Sequence, residues 1–306
     1  MHVIVTGGAG FIGAHTCRAL LAKGHRVTAV DDLSHGKREA VPEGAELLVL
    51  DVRDPKLMGE MERLRPDAVV HLAAQMDVRK SVADPLWDAS INVLGTLSAL
   101  ESARRASVRR FVFASSGGAV YGEQDVFPAT ESHPRRPASP YGTSKLCGEE
   151  YVDHYKRVHG LSTICLRYAN VYGPGQDPLG EAGVVAIFLH HLLGGRAPKI
   201  NGDGLQTRDF VYVEDVARAN VLAVESPASG AVNIGTGRES NIIELADILV
   251  AATGGSRPTH GPPAAGEQRR SVIDPALAKT TLGWEPRVGF EEGLRRTTDW
   301  FRAHAG

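Results

Sequence analysis

Cysteine is scarce in this chain. Three occur in 306 residues, Cys17, Cys147 and Cys165, far apart and with no CxxC pair. That spacing argues against a disulfide framework and a cysteine-rich zinc site. Twelve histidines include the pair His190–His191, but there is no HExxH and no Cys/His cluster, so no metal is expected. Charge of one sign is also lacking: 34 Lys+Arg against 36 Asp+Glu leave a formal net charge of -2. Such a balance favours neither nucleic acid nor a membrane as partner. The arginine pairs are dispersed and read as solvated surface. No apolar run approaches the length of a membrane span. The opening MHVIVTGG lacks the regions of an export signal, so a reducing, cytoplasmic location is expected. Internal repeats and low-complexity tails are absent.

What is present is a rhythm. Short β-branched runs at 2–7, 25–31, 45–51, 67–73, 109–115 and 162–168 alternate with turns or helical patterns. Helices are expected at 11–24, 84–106 and 141–159. Strands apolar on both faces, separated by helices, imply a parallel sheet covered on each side. From about residue 170 the rhythm loosens. A Gly/Pro-rich loop (170–183) leads into shorter elements, with helices at 184–193, 214–225, 241–252 and 290–303. The expected organisation is α/β, with a doubly wound sheet domain over 1–169 and a smaller lobe mainly over 170–306. Some later segments return to the sheet. The lobe lies over the C-terminal strand edge, where open α/β sheets bind ligands.

TGGAGFIG places Gly7, Gly10 and Gly13 between a strand and a helix. Glycines there let the backbone approach a pyrophosphate at a helix N-terminus. Asp31 ends the next strand, eighteen residues after Gly13. A carboxylate at that point accepts bonds from both adenosine ribose hydroxyls and repels a 2′-phosphate, which favours NAD over NADP.

SSGGAVYG (115–122) closes an apolar strand with two hydroxyls and two glycines, and SPYGTSK follows at 139–145. Tyr141 and Lys145 stand at i,i+4 and share a helix face. A general base at neutral pH should titrate near ~7, whereas tyrosine ordinarily does so near ~10. Closing that gap costs roughly 4 kcal/mol, which a lysine ammonium and a cationic nicotinamide ring can supply. Ser115 and Ser116 are candidates to assist. Strand alternation puts Ser115 on the face of position 117, towards cofactor and sugar.

These motifs, with VDDLSHGKR (30–38), HLAAQ (71–75), NVLGT (92–96), LRYANVYGPGQDPLGEAGVVAIF (166–188), TRDFVYVEDV (207–216) and NIGTG (233–237), resemble the UDP-glucose (UDP-galactose) 4-epimerases among the extended short-chain dehydrogenases/reductases. The resemblance spans nearly the whole chain. It implies a Rossmann-type fold, bound NAD, a UDP-sugar substrate and a homodimer built on helices 84–106 and 141–159. It also implies that Phe11 and Ile12 flank the pyrophosphate. Asp31 holds the adenosine ribose, Asp32, Leu33, Ser34 and Gly36 also bind the cofactor, and Asp51 and Val52 meet the adenine. Leu72, Ala73, Ala74 and Gln75 follow the cofactor's path, Asn92 and Tyr168 stand beside it, and Lys145 bonds the nicotinamide ribose. Asn170, Val184, Arg208 and Ser271 match substrate contacts.

Two departures stand out. Family members commonly carry a third hydroxyl where this chain has Gly117, and an arginine where it has Ala264; Arg269 or Arg270 is the candidate substitute for that arginine. The expected reaction is interconversion of C4 epimers through a transient 4-keto sugar. A 4,6-dehydratase would need acidic residues where the glycines stand. UDP-glucuronate or UDP-N-acetylglucosamine 4-epimerisation remains an alternative. So does a non-catalytic NAD sensor, against which retention of Tyr141 and Lys145 argues.

Overall fold

Residues 1–180, 183–263 and 268–304 are described by the computed structural model. The first half contains β1 (His2–Thr6), α1 (Phe11–Ala22), β2 (Arg26–Asp31), β3 (Ala45–Val49), α2 (Lys56–Leu64), β4 (Ala68–His71), α3 (Val78–Ala83), α4 (Pro85–Ala89) and α5 (Gly95–Arg105). Next come β5 (Arg110–Ser116), α6 (Gly117–Tyr121), α7 (Pro140–His159) and β6 (Ser162–Tyr168). The remainder holds β7 (Asn170–Tyr172), α8 (Val184–Leu193), β8 (Lys199–Asn201), β9 (Thr207–Arg208), β10 (Phe210–Tyr212), α9 (Val213–Glu225), β11 (Gly230–Ile234), β12 (Ser240–Asn241), α10 (Ile242–Thr253), β13 (Thr259–Gly261), α11 (Ala276–Leu282) and α12 (Phe290–Ala303).

Seven strands form one sheet in the order β11-β6-β5-β4-β1-β2-β3, parallel at every pairing. The order runs outward from β1 in both directions, as in a Rossmann-type doubly wound sheet. Period-two alternation assigns the strand side chains to two cores. Val3, Val5, Val27 and Ala29 pack in one, with Cys17 and Leu20 of α1 and Val216 of α9. Ile4, Val30, Phe111 and Phe113 pack in the other, with Leu57 of α2, Leu100 of α5 and Val152 of α7. All are buried.

β11 lies far along the chain yet adds to the main sheet beside β6. The lobe has a separate core of Tyr172, Phe188, Leu189, Phe210, Leu245, Phe290 and Leu294. Its strands pair only in twos: β10 with β7, β12 with β9, and β13 with β8. Among the described residues, no helix is long and apolar enough to cross a membrane.

The expected single helix over 84–106 is interrupted. A π-helical turn, Ser90–Leu94, separates α4 from α5. Within it Asn92 turns its side chain to the β4–α3 connection, and the Thr96 hydroxyl donates to the Asn92 carbonyl at 2.6 Å. Such bulges insert a residue to aim a side chain. The stretch 170–183, expected as loop, opens with β7, which finds its partner in β10, forty residues on.

Candidate active site

The strand ends β1, β2, β4, β5 and β6 open into one cleft of about 2060 Å³, closed on its other side by the lobe. Its floor begins at the turn after β1. Gly7 has φ +67°, and a Cβ there would stand 2.8 Å from the Ala73 nitrogen. A Cβ on Gly13 would run into the Gly7 carbonyl. Gly10 caps α1 without a side chain, and no acid stands in the first turn. The free N–H groups of α1 therefore face the cleft unopposed, which suits an anion.

Asp31 stands at the end of β2, lining the cleft and almost buried. Its Oδ2 accepts from the Ala9 nitrogen at 3.0 Å and its Oδ1 from the Leu33 nitrogen at 2.9 Å. Burial pushes its pKa up, against those bonds. A carboxylate has about four acceptor sites, so capacity remains for ribose hydroxyls. These features fit NAD: a bare anion cradle and an acid one strand over.

Phe11, Ile12, Asp32, Ser34, Gly36, Asp51, Val52, Leu72, Ala73, Ala74, Gln75 and Tyr168 also line the cleft. Asp51 is held by Arg53, whose Nε donates at 3.0 and 3.1 Å and keeps that carboxyl below its usual range. The Tyr168 hydroxyl donates to Asn220 at 2.6 Å. Leu33 is not among the lining residues; its backbone, at φ +61°, serves to cap Asp31. Asn92 is not either. It is buried, accepting from the Gln75 nitrogen at 3.0 Å and donating to the Gln75 carbonyl at 2.8 Å, so it braces the Gln75 backbone behind the cleft.

α7 starts at Pro140, with Ser139 as cap accepting from the Gly142 nitrogen at 3.1 Å. This fixes Tyr141 in its first turn and Lys145 one turn on, both lining the cleft. The Lys145 ammonium donates to the Ala114 carbonyl at 2.9 Å and lies 5.9 Å from the Tyr141 ring centre. Burial pulls Lys145 down to about 8, while the Asp88 and Glu149 charges pull it up. Tyr141 is held well above its ordinary value by burial and by the Asp88 charge. Only the Ser116 hydroxyl, hydrogen-bonded to the phenol, works the other way. Lys145 gives one of its three N–H donors to Ala114, which leaves its charge and two donors beside Tyr141.

Both serines line the cleft, but the one that meets Tyr141 is not the one expected. Ser115 continues the row of Phe111 and Phe113 beneath α7, and its hydroxyl donates to Glu149 at 2.6 Å. Glu149 in turn accepts from Arg167 at 2.6 and 2.8 Å in a buried ion pair. Ser116 is the serine that meets Tyr141. Gly117 has no positive φ; a Cβ there would lie 3.0 Å from two Ile273 side-chain carbons.

On the lobe side, Asn170, Val184 and Arg208 line the cleft, and Arg208 donates to the Thr207 carbonyl at 2.7 Å. Ser271 does not line it. That residue is buried, with its hydroxyl 3.2 Å from where a Cβ on Gly118 would stand. Arg269 pairs with Asp203 at 2.7 Å and Arg270 with Glu239 at 2.9 Å, so their guanidinium groups are committed to surface acids. Ala264 lies outside the described residues. Sequence reasoning missed Asp88, Glu149 and Arg167. None stands in a spacing that marks it, and a buried acid reads like a surface one.

A nucleotide cradle below a Tyr–Ser–Lys corner defines an extended short-chain dehydrogenase/reductase. The profile of the NAD dependent epimerase/dehydratase family matches residues 3–235, and the chain belongs to that family. The chain is 45% identical to the UDP-glucose 4-epimerase of Mycolicibacterium smegmatis, over 99% of both chains. The structure of the Thermotoga maritima UDP-glucose 4-epimerase with UDP-glucose superimposes with a TM-score of 0.96, at 46% identity over 100% of both chains. That of the Thermus thermophilus UDP-glucose 4-epimerase complex with NAD gives 0.93, at 45% identity over 99% of both.

Proposed function

We propose that this chain is an NAD-dependent UDP-sugar 4-epimerase interconverting UDP-glucose and UDP-galactose. The observation that carries the reading is the Tyr141 phenol set against Ser116 and Lys145 at the end of β5, above the glycine turn. Bound NAD supplies the acceptor and donor of hydride at C4 of the sugar. Gly7, Gly10 and Gly13 give its pyrophosphate room at the start of α1, and Asp31 takes the adenosine ribose.

Tyr141 exchanges the proton of the sugar O4. Burial and the Asp88 charge oppose that role, because both keep the phenol protonated. Ser116 donates to the phenolate, and the positive charge of a bound nicotinamide would lower the cost further. Lys145 is one bond from Ala114 and retains two donors for the nicotinamide ribose. Arg208 and Asn170, across the cleft, hold the nucleotide diphosphate while the sugar turns to present its other face. No net redox change results, so the cofactor stays in place.

Val82, Leu86 and Leu94 expose large apolar surface on α3, α4 and the π-turn. This supports a homodimer through that face, measurable by light scattering. A cytoplasmic location accords with the free cysteines. The function is tested by incubating the purified protein with UDP-glucose, UDP-galactose, UDP-glucuronate and UDP-N-acetylglucosamine without added cofactor. Interconversion of the first two, at rates above the others, is expected. Absence of any C4 epimer, or strict need for NADP, would refute it.

A further inference from the structure

A fully buried carboxylate sits beside the Tyr141–Lys145 pair and belongs to neither the cradle nor the sugar pocket. Asp88, on α4, accepts at Oδ1 from Gln75 Nε2 and from Asn92 Nδ2, both at 2.9 Å. Its Oδ2 accepts from Ser144 Oγ at 2.7 Å. All three donors are neutral, and among the described residues no cationic side chain pairs with Asp88 within 4.0 Å. A buried charge without a partner is costly unless an opposite charge nearby offsets it.

The candidate for that charge is Lys145. It follows Ser144 on α7 and is itself buried. Two carboxylates act on it, but Glu149 is already neutralised by Arg167 at 2.6 Å. The unspent charge is that of Asp88. We propose that Asp88 is a positioning residue: its charge keeps Lys145 an ammonium in a buried setting, and its hydrogen bonds lock the start of α7 to the Gln75 turn that lines the cleft. This deepens the epimerase reading and rests on it for the role of Lys145.

The other titratable groups around the pair are few. α7 contributes Tyr141 and Glu149. β4 contributes His71, which burial and the Lys145 charge hold neutral, at about 3. The cap of α3 contributes Asp77, paired with Arg79 at 3.4 Å. The π-turn contributes none. Removing the Asp88 charge takes away an influence that raises both Lys145 and Tyr141, so both should titrate lower.

Asp88→Asn tests this with little disturbance. The amide oxygen can keep the Gln75 and Asn92 donors, and the amide nitrogen can donate to Ser144, whose hydroxyl also accepts. The protein, with its cofactor, is labelled with [ε-13C]lysine, and the Lys145 signal is assigned by its loss in Lys145→Arg. Its titration midpoint is expected to fall by about one pH unit in Asp88→Asn. The alkaline limb of the kcat profile should move with it. Ser144→Ala, which removes one bond and keeps the charge, should leave the midpoint in place. Should Asp88→Asn not fold, Asp88→Ser removes the same charge and should give the same shift. An unmoved midpoint in the uncharged variants, or an equal shift in Ser144→Ala, would overturn the proposal. A shifted midpoint in a protein inert towards every UDP-sugar would refute the epimerase reading while leaving the charge assignment intact.

Discussion

The two walls of the cleft are built differently. One is the end of a seven-stranded parallel sheet, where each site residue follows a strand paired on both sides or continues into a buried helix. The other is a lobe of two-stranded ladders, two or three residues long, around its own core. The sheet wall carries Asp31, Ser116, Tyr141 and Lys145, the groups proposed to meet the cofactor and the reacting oxygen. The lobe wall carries Asn170, Val184 and Arg208, the groups proposed to meet the substrate. Chemistry needs fixed geometry, and a paired strand end gives it. Substrate entry and sugar rotation need room, which a weakly paired lobe allows.

The difference predicts two kinds of mutant. Sheet-wall changes should lower kcat with the substrate still bound. Lobe-wall changes should raise KM with kcat nearly kept. The largest effect is expected for Tyr141→Phe, with a loss of at least ~100-fold in kcat by analogy with other general-base deletions. NAD retention and Tm should be unaltered. Near-normal turnover would place the base elsewhere.

Next come the neighbouring serines, which divide the sheet wall within itself. Ser116→Ala removes the hydroxyl that favours the tyrosinate, a charge-assisted bond worth roughly 1.5–3 kcal/mol, or about 10–100-fold in kcat. Ser115→Ala should leave kcat within about threefold, because its hydroxyl serves the Glu149–Arg167 pair. It should cost roughly 1.5–3 kcal/mol of stability instead, read as a lower urea midpoint. A larger rate loss at Ser115 would restore the alternation argument.

Arg208→Ala should raise KM for UDP-galactose by about tenfold, consistent with one lost charged contact of about 1.5–3 kcal/mol, while kcat stays within a few-fold. If kcat fell instead, the division between the walls would fail. The smallest effect is expected for Gly117→Ser. Its backbone is unstrained, but the new Cβ presses on Ile273, so rate and Tm should change only slightly. A large loss of Tm would show that Ile273 cannot yield.

Local signals made the sheet wall legible. Gly7, Gly13 and Asp31 lie on consecutive strand–turn units whose spacing fixes their positions, and Tyr141–Lys145 shares one helical turn. The fold class followed from alternation of apolar runs and helices. What could not be read depended on which helix covers which face. Ser115 was assigned to the ligand because alternation gives a face but not its occupant. α7 occupies that face, and Glu149 claims the hydroxyl. Asn92 and Asp88 close a network across the π-turn, a feature without a periodic signature. In the lobe, β7 and β10 are three residues each and pair over a long separation, so neither announces itself as a strand.

The most direct test of the account follows the hydrogen at C4. UDP-galactose deuterated at that carbon is turned over by the purified protein in ordinary water, without added cofactor. The UDP-glucose formed should retain the deuterium at C4, because hydride leaves and returns within one closed site governed by Tyr141. Loss of the label to solvent, or product formed only with added reductant, would contradict it.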